Sequence, residues 1–456
     1  MKPTAITIGL SDWTALRGSL FIGDSNENAA VLLCGVAETE SLRRLLVRRM
    51  VSVPAELYLE RHFNHLEVAP AFYNAIVTKC LAEHLTPVIV HSHPGHQDAW
   101  YSTSDDHGEK RLLDVLGMLL PGKQPASLVL SEAAATGRIL VNGVFQPLSG
   151  LRIISTPTVA LQFERTENEP GTRDADRFDR QIRAFGADGQ RALESTRVAI
   201  IGVGGIGSVV AEQLVRAGIR DLLLIDGDTI EESNLSRIFG STPTDVGANK
   251  VDVIARHLQA IGAPTIKKFR SSAIRQSVLL NLRDRDLIFS CVDNDRTRAI
   301  LNRFSHQYLV PVIDHGTRLD AREGQITAAA GRVTLVGMEF ACLRCSHHIN
   351  SERIRAESMS PGERSALRKE GYLIGIDEPA PAVVSINAVI GGLGATAGLN
   401  LIVNLTGGPQ PIDQIYDARS GSVFPVAPTH ERGCDVCGEQ EGVKGLGDFQ
   451  IVSAYK

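Results

Sequence analysis

The sequence predicts an α/β protein built from two domains. Short apolar runs typical of buried strands alternate with helical patterns along most of its 456 residues. A chain of this length also exceeds what one hydrophobic core usually serves. The stretch LQFERTENEPGTRDADRFDR turns abruptly polar around Pro170 and Gly171, as expected of a linker. We therefore predict a first domain at residues 1–160, a linker at 161–176 and a second domain at 177–456.

Composition restricts the class of function. Hydrophobic residues make up 43% and charged residues 22% of the chain, as in ordinary globular proteins, and the formal net charge is −5. This mild acidity argues against nucleic acid or a membrane surface as the partner and leaves small molecules and proteins. The N-terminus lacks a long apolar segment after a basic start, and no later segment offers about 18 uninterrupted apolar residues. We therefore expect a cytoplasmic protein.

The first domain shows strand and helix patterns that lead to one polar loop. AAVLLCG at 29–35 and VIVH at 88–91 are apolar runs suited to buried strands. AFYNAIVTKCLAEHL, between them, has the apolar spacing of a helix, and GRILVNGVFQPL alternates like a strand or hairpin. The run at 88–91 would deliver His91 at the end of its strand.

The loop after that strand, HSHPGHQDAWYSTSDD, contains residue types suited to a metal centre. Zinc catalysis on an amide requires fixed protein ligands, an open position for water, a base and a donor to the oxyanion. His91 and His93 alternate on an extended segment and could both reach one ion, with Asp105 as third ligand and Ser102 as oxyanion donor. An isolated HxH pattern is more often a pair of surface histidines.

The full string HxHPx7SxxD resembles the signature of JAMM/MPN metalloproteases, which cleave ubiquitin-like proteins from their conjugates. The resemblance implies that His91, His93 and Asp105 bind a catalytic Zn²⁺ and that Ser102 stabilises the oxyanion. It also implies a general base just before an apolar strand that ends in glycine, which in ENAAVLLCG is Glu27. Three other acids remain as weaker alternatives: Glu38, Glu56 and Glu67.

The second domain begins with the pattern strand, glycine loop, helix, strand. RVAII, GVGGIGS, VVAEQLVRAG and IRDLLLID follow one another from residue 197, and further strand patterns at DLIFSCVDN and VPVIDHG predict a mostly parallel, Rossmann-like sheet. A glycine loop between strand and helix allows close approach of a phosphate group. GVGGIG also satisfies GxGxxG, and Asp226 ends the next strand, so an NAD-dependent oxidoreductase is a competing prediction.

Ordered motifs beyond this loop favour a different chemistry. RFDRQI, DGDTIEESNLSRIF, VGANK, SCVDN, REGQIT, CLRC and GCDVCG follow in order from about Arg177 to the C-terminus. Together they resemble the adenylating domain of the MoeB/ThiF and ubiquitin-activating enzyme family. The resemblance implies that a carboxylate attacks the α-phosphate of ATP, a step that needs positive charge and Mg²⁺ rather than a general base.

The same resemblance assigns roles to individual residues. It implies that Asp226 holds the ribose and that Asp293 positions Mg²⁺. It implies phosphate contacts for Asn234, Arg237 and Lys250. The implied nucleotide site also includes Gly202, Gly204, Gly205, Gly207, Asp228 and Asn294. Arg180, in RFDRQI, matches an arginine that in the family enters the active site of the other subunit, which implies a homodimer.

Four of the seven cysteines form two CxxC pairs, Cys342 with Cys345 and Cys434 with Cys437. This pattern is typical of a closed tetrahedral Zn²⁺ site with a structural role, and an odd total of cysteines disfavours a secreted disulfide framework. No cysteine lies between 345 and 434, the interval where ubiquitin-activating enzymes carry a thioester cysteine; a rough alignment places Asp377 there. Cys34, Cys80 and Cys291 lie in apolar patterns, so we predict adenylation without an internal thioester.

These observations predict a bacterial-type fusion of a metalloprotease domain with an adenylating domain, both acting on one ubiquitin-like protein and cooperating with a separate conjugating enzyme. Because the two activities share a substrate tail, fusion would raise their effective concentration. Sulfur-carrier trimming and activation for thiocarboxylate synthesis is an alternative pathway. A binding scaffold with an inactive first domain is a further alternative, which bound zinc without cleavage would support.

Overall fold

The computed structural model describes residues 2–155, 158–163, 175–262, 265–337, 341–360, 362–364, 381–408, 410–427, 429–431, 433–438 and 442–450. Its contacts divide the chain into two compact units. The first comprises Met1–Glu169, Gln307–Leu309 and Lys444–Ile451, and the second comprises Pro170–His306, Val310–Val443 and Val452–Lys456. The predicted first domain, residues 1–160, does not include the C-terminal piece Lys444–Ile451 that belongs to the first unit. The linker predicted at 161–176 lies largely outside the described residues.

The first unit contains a mixed sheet and a separate hairpin. Its strands are β1 (Thr4–Gly9), β2 (Ala29–Glu38), β3 (Arg43–Ser52), β4 (Tyr58–Arg61), β5 (Leu66–Val68), β6 (Thr86–Ser92), β7 (Ala126–Leu130), β8 (Ala135–Val141), β9 (Val144–Pro147), β10 (Gly150–Ile154) and β11 (Val159–Gln162). The sheet order is β11-β10-β1-β3-β2-β6-β7-β8-β9, and β4 pairs with β5. β6 runs antiparallel to β2 and parallel to β7, in the middle of the sheet.

Helices cover both faces of this sheet. They are α1 (Leu10–Leu20), α2 (Pro70–Glu83) and α3 (Thr103–Leu119). Ala30, Leu32 and Cys34 of β2 share a core with α1, whereas Ala29, Val31 and Leu33 share a core with α2 and α3. Because successive residues of a strand point to opposite faces, burial on both sides explains why AAVLLCG is apolar without alternation.

The second unit contains a sheet whose first part is parallel. Its strands are β12 (Arg197–Ile201), β13 (Asp221–Ile225), β14 (Thr265–Phe269), β15 (Leu287–Ser290), β16 (Val312–Arg322), β17 (Gln325–Val336), β18 (Asp413–Asp417) and β19 (Ser422–Val426). The order is β14-β13-β12-β15-β16-β17-β18-β19, with parallel pairing from β14 to β16 and antiparallel pairing beyond. The α/β prediction is confirmed, and the mostly parallel sheet continues into an antiparallel extension.

The remaining helices follow residue 174: α4 (Ala175–Ser195), α5 (Gly205–Ala217), α6 (Lys250–Ile261), α7 (Gln276–Leu279), α8 (Asp295–Tyr308), α9 (Ser351–Ser358) and α10 (Val384–Val403). Most residues of α9 are exposed, so this charged segment is a solvated helix. Among the described residues, α10 is long and apolar enough to cross a membrane. Core helices of soluble proteins pass the same test, and half of this window is buried within the chain.

Candidate functional site

The polar loop of the first unit brings three predicted metal ligands together. His91 lies near the end of β6, His93 directly follows that strand, and Asp105 lies in the first turn of α3. One ligand atom from each lies within 4.8 Å of the others. His91 Nε2 lies 3.5 Å from Asp105 Oδ1, and His93 Nε2 lies 3.9 Å from Asp105 Oδ2. Donors about 2.1 Å from a tetrahedral ion lie roughly 3.4 Å apart, so this set fits Zn²⁺.

Ser102 and Asp105 form the capping box of α3. The backbone N–H of Ser102 donates to Asp105 Oδ2 at 2.7 Å, and the Asp105 N–H donates to Ser102 Oγ at 3.2 Å. Each side chain thereby satisfies a donor at a helix start that has no intrahelical partner. The SxxD spacing therefore has a local structural cause, and the same contacts orient Asp105 Oδ1 toward His91.

The electrostatics of this cluster favour a cation. Burial would lower the pKa of His91, but the carboxylates of Asp105 and Glu109 outweigh it and raise that pKa to about 10. Burial also raises the pKa of Asp105, yet its contacts with His91 and Ser102 outweigh burial and hold the pKa below its usual range. Nε2 of His91 and Nδ1 of His93 are buried without a hydrogen-bond partner among the described residues. A buried polar atom without a partner is costly, and bound metal would satisfy His91 Nε2.

Glu27 lies beside this cluster, immediately before β2. Its side chain is buried, and Oε1 lies 3.6 Å from His93 Nε2. Burial raises the pKa of Glu27 to about 7, with His91 acting in the opposite direction. A carboxyl group with a pKa near neutrality suits general acid-base work. The three alternative acids Glu38, Glu56 and Glu67 have exposed side chains and no described contact with the cluster.

The glycine loop of the second unit joins β12 to α5. Gly202 has a φ of +82°, and its N–H donates to Ile225 O at 2.8 Å. A Cβ on Gly207 would lie 1.9 Å from Gly202 O, so a larger residue there would displace the loop. A Cβ on Gly205 would meet Asn387 Nδ2 of α10 at 2.3 Å, whereas one on Gly204 would enter open space. The start of α5 thus presents backbone N–H groups to an open cradle that fits a phosphate.

Acidic residues and a lysine lie at the carboxyl edge of the neighbouring strand. Asp226 follows β13, and its two oxygens accept from the N–H groups of Val203 and Asp228, both at 2.9 Å. Burial raises the pKa of Asp226. Lys250, at the start of α6, donates from Nζ to Asp228 Oδ2 at 2.8 Å. Asp226 therefore holds the glycine loop in shape, while its role toward ribose stays a prediction.

Other predicted nucleotide-site residues lie around this loop with differing contacts. Arg237 donates to Ser233 O at 2.7 Å, and its Cδ lies 3.5 Å from the position of a Cβ on Gly205. Asn234 is buried and accepts through Oδ1 from Glu231 N at 3.3 Å, so its side chain takes part in a local turn. Asn294 accepts from Thr297 N at 2.9 Å at the start of α8. Asp293 and Arg180 are exposed, and no described contact joins Arg180 to the loop.

The four predicted cysteine ligands converge on one point. Sγ separations are 3.7 Å for Cys342–Cys345, 3.8 Å for Cys342–Cys434 and 3.6 Å for Cys345–Cys437. Zn–S bonds of about 2.3 Å in a tetrahedron place sulfur atoms roughly 3.8 Å apart, so the set fits Zn²⁺. The neighbouring Cys437 favours the Cys342 thiolate and holds the Cys342 pKa below its usual range.

Residues outside the motifs also contribute to these sites. Glu109 of α3 lies against His91, Arg138 of β8 binds Glu109, and Asn387 lies against the glycine loop. Glu109 could have been found from its i,i+4 spacing to Asp105, which places both carboxylates on one face of a helix. Arg138 and Asn387 are distant in sequence, and nothing local in their segments signals a site.

Comparisons with known proteins concern the second unit. The model of the ThiF family matches residues 178–435. The molybdopterin-synthase adenylyltransferase of Escherichia coli K12 is 30% identical over 271 residues, which cover 58% of this chain and 96% of that protein. The ubiquitin-like modifier-activating enzyme 5 of Oryza sativa subsp. japonica is 33% identical over 173 residues, which cover 35% of this chain but only 39% of that protein. A crystal structure of E. coli MccB covers 59% of this chain and 74% of that one at 20% identity, with a TM-score of 0.47. Because the family model matches more than half of the sequence, the chain belongs to the ThiF family.

Proposed function

We propose that this protein adenylates the C-terminal carboxylate of a ubiquitin-like or sulfur-carrier protein and cleaves the same partner at a zinc centre in its first unit. The glycine loop, within a segment that matches the ThiF family, carries the first activity. The cluster of His91, His93 and Asp105 beside buried Glu27 carries the second. The names of two relatives, an adenylyltransferase of molybdopterin synthase and an activating enzyme of a ubiquitin-like modifier, support a protein substrate.

In the adenylation step, a carboxylate oxygen of the partner forms a bond to the α-phosphorus of ATP. The bond from that phosphorus to the bridging oxygen breaks, and pyrophosphate leaves. Lys250 and Arg237 would stabilise the developing negative charge, and Asp293 would help to hold Mg²⁺. Asp228 lies 2.8 Å from Lys250 Nζ and keeps the lysine ammonium group near the loop. A bound phosphate would either displace Asp228 from Lys250 or bind the same ammonium group beside it.

In the cleavage step, zinc would supply Lewis-acid polarisation of water or of the scissile carbonyl. Glu27 would accept the proton of the attacking water and deliver it to the leaving amine. The Ser102 hydroxyl accepts from the Asp105 N–H, which leaves its own hydrogen available for the oxyanion. These groups lie on β6 or α3 or within two residues of the ends of β6, α3 and β2, so secondary-structure elements constrain their relative positions.

The activated partner would leave this chain without forming a thioester on it. Cys34 and Cys80 are buried, and burial raises the pKa of each thiol. Burial raises the pKa of the Cys291 thiol in the same way, and its Sγ lies 3.6 Å from His315 Nδ1. A thiol with a raised pKa supplies little thiolate for attack. Asp377, which a rough alignment places near the expected acceptor position, lies outside the described residues.

We further propose a cytoplasmic homodimer with one structural Zn²⁺ on the four cysteines and a separate conjugating protein as recipient. A pathway that makes a thiocarboxylate on a sulfur carrier is the second candidate, which the molybdopterin-synthase relative favours.

Intact mass spectrometry of a β-grasp partner carrying a short C-terminal extension tests both activities. Incubation with the protein, Zn²⁺, Mg²⁺ and ATP should remove the extension and then add one AMP. On the extended partner, His91→Ala should abolish both changes, whereas on a partner that already ends at its processed C-terminus it should leave the AMP addition intact. Lys250→Ala should abolish only the AMP addition. Gain of AMP by the processed partner without cleavage of any extended partner would refute the protease proposal, and cleavage without AMP would refute the adenylation proposal.

A further inference from the structure

We propose that Glu109 is a positioning residue that binds the Nδ1–H of His91 and thereby presents Nε2 of His91 to the metal. Arg138 holds Glu109 in place for this task. This inference deepens the proposed function and rests on the zinc centre described there.

His91 lies between two carboxylates of a single helix. Asp105 and Glu109 are four residues apart on α3, so both side chains lie on the face that covers the end of β6. Asp105 Oδ1 is 3.5 Å from Nε2 of the imidazole, and Glu109 Oε1 is 3.3 Å from Nδ1. The side chains of His91 and Glu109 are 7% and 9% exposed, so water does not compete for this contact.

Arg138 occupies the other oxygen of Glu109. Its Nε and Nη2 donate to Oε2 at 3.1 Å and 2.8 Å, and a further nitrogen donates to Asp106. The guanidinium carbon lies 3.6 Å from the ring centroid of Tyr101 and 3.8 Å from that of Phe145. Ion pairing and stacking on two aromatic rings hold a guanidinium in one orientation. Arg138 therefore leaves Oε1 of Glu109 directed at His91.

Arg138 binds Oε2 of Glu109 and His91 faces Oε1. This arrangement determines which nitrogen of the His91 imidazole carries the proton. Within the described residues, neither Oε1 of Glu109 nor Nε2 of His91 has a hydrogen-bond partner, and Oε1 lies 3.3 Å from Nδ1 of His91. When a metal displaces the proton of Nε2, a proton held on Nδ1 by Glu109 leaves the Nε2 lone pair directed toward the same space as the Asp105 carboxylate. Carboxylates behind metal-binding histidines fix the tautomer and ring orientation and increase the basicity of the ligand.

Zinc affinity of the full-length chain, measured by competition with graded chelators, tests the inference. The protein should bind two zinc equivalents, and the one lost in His91→Ala identifies the histidine site. Glu109→Leu should weaken that equivalent about 10- to 100-fold. Glu109→Gln keeps the volume and an acceptor oxygen but loses the charge, so it should weaken the site about fivefold. Asp114→Asn removes a charge from an exposed position of α3 and should leave the affinity unchanged.

The order wild type, Glu109→Gln, Glu109→Leu in decreasing affinity would support the positioning role, because a residue that only anchors Arg138 would not give this graded loss with partial rescue by glutamine. If Glu109→Leu fails to fold, Glu109→Gln decides alone. Folded Glu109→Gln with wild-type zinc affinity would overturn the inference. His91→Ala that still binds both equivalents would instead overturn the zinc centre itself, so the two failures are distinguishable.

Discussion

Glu27 illustrates a conflict between stability and chemistry at a single residue. Its pKa is raised from the ordinary 4.5 to about 7 because the folded chain buries it. Between these pH values the folded chain binds more protons than the unfolded chain, so the stability of the metal-free protein falls as pH rises through this window. The ionised carboxylate of Glu27 destabilises the metal-free protein, yet the proposed general base must be ionised to accept a proton.

We expect Glu27→Gln to abolish cleavage and to stabilise the metal-free protein. At pH 8 the gain in free energy of unfolding should approach about 3 kcal/mol, and it should shrink toward zero below pH 4.5. Chemical denaturation at several pH values, after metal removal by chelation, measures this directly. A variant with equal or lower stability than wild type at pH 8 would contradict the burial-based assignment.

The cations beside the glycine loop give a second residue-scale prediction. Alanine at Lys250 or Arg237 should reduce ATP-dependent AMP transfer by at least about 100-fold, because each removes positive charge from a transition state rich in negative charge. Circular dichroism and melting temperature should remain close to wild type. Arg216→Ala, which removes an exposed i,i+4 ion pair with Glu212 on α5, is the matched control. ATP turnover at the wild-type rate by Arg237→Ala would refute its role.

At the scale of elements, the start of α3 serves both the helix and the proposed site. Ser102→Ala removes the N-cap and should cost about 1 kcal/mol of stability in addition to lowering cleavage. Ser102→Thr keeps a hydroxyl and a capping oxygen, so it should retain most of both properties. Comparing the two variants by melting temperature and cleavage rate separates capping from chemistry. A Ser102→Ala variant that loses stability but cleaves at the wild-type rate would leave Ser102 only its structural role.

Local sequence patterns predict some strands of the fold, whereas pairing between distant segments cannot be predicted from them. The runs AAVLLCG and VIVH predict β2 and β6, because strands that are buried on both faces have continuous apolar sequences. The NG turn at Asn142 and Gly143, where both φ values are positive, matches the predicted hairpin. The parallel pairing of β1 with β10 and the antiparallel extension through β17 to β19 depend on partners far apart in the chain, which local patterns do not specify. The HxH and SxxD spacings allowed the clustering of His91, His93 and Asp105 to be predicted, whereas Arg138 reaches Glu109 only through the fold.

At the scale of the whole molecule, the proposed dimer predicts complementation between inactive variants. If Arg180 acts in the active site of the partner subunit, Arg180→Ala and Lys250→Ala should each abolish AMP transfer. Mixing the two after dissociation and reassociation should restore about one quarter of wild-type activity, because only half of the dimers are mixed and each contains one intact site. No recovery in demonstrably mixed dimers would place Arg180 in its own subunit or outside the site.

The four-cysteine cluster should control the folding of the second unit rather than its chemistry. Cys437→Ser should lower the melting temperature of the second unit and make it sensitive to chelators, while zinc binding by the histidine site is retained. Differential scanning calorimetry with and without a strong chelator reports this change. A Cys437→Ser variant with unchanged thermal stability but lost AMP transfer would assign the cluster a catalytic role instead.

The separation of the cysteines also has a consequence for biosynthesis. Cys342 and Cys434 are 92 residues apart, so a metal ion bound to both would close a large loop of chain. Closing a loop of this size removes roughly 4–5 kcal/mol of unfolded-state entropy in a cross-link model. On the ribosome, the second ligand pair emerges only after the glycine loop and the parallel strands have left the exit tunnel. If Zn²⁺ binds the four cysteines as proposed, the glycine loop and the parallel strands would therefore emerge before that metal site can be completed.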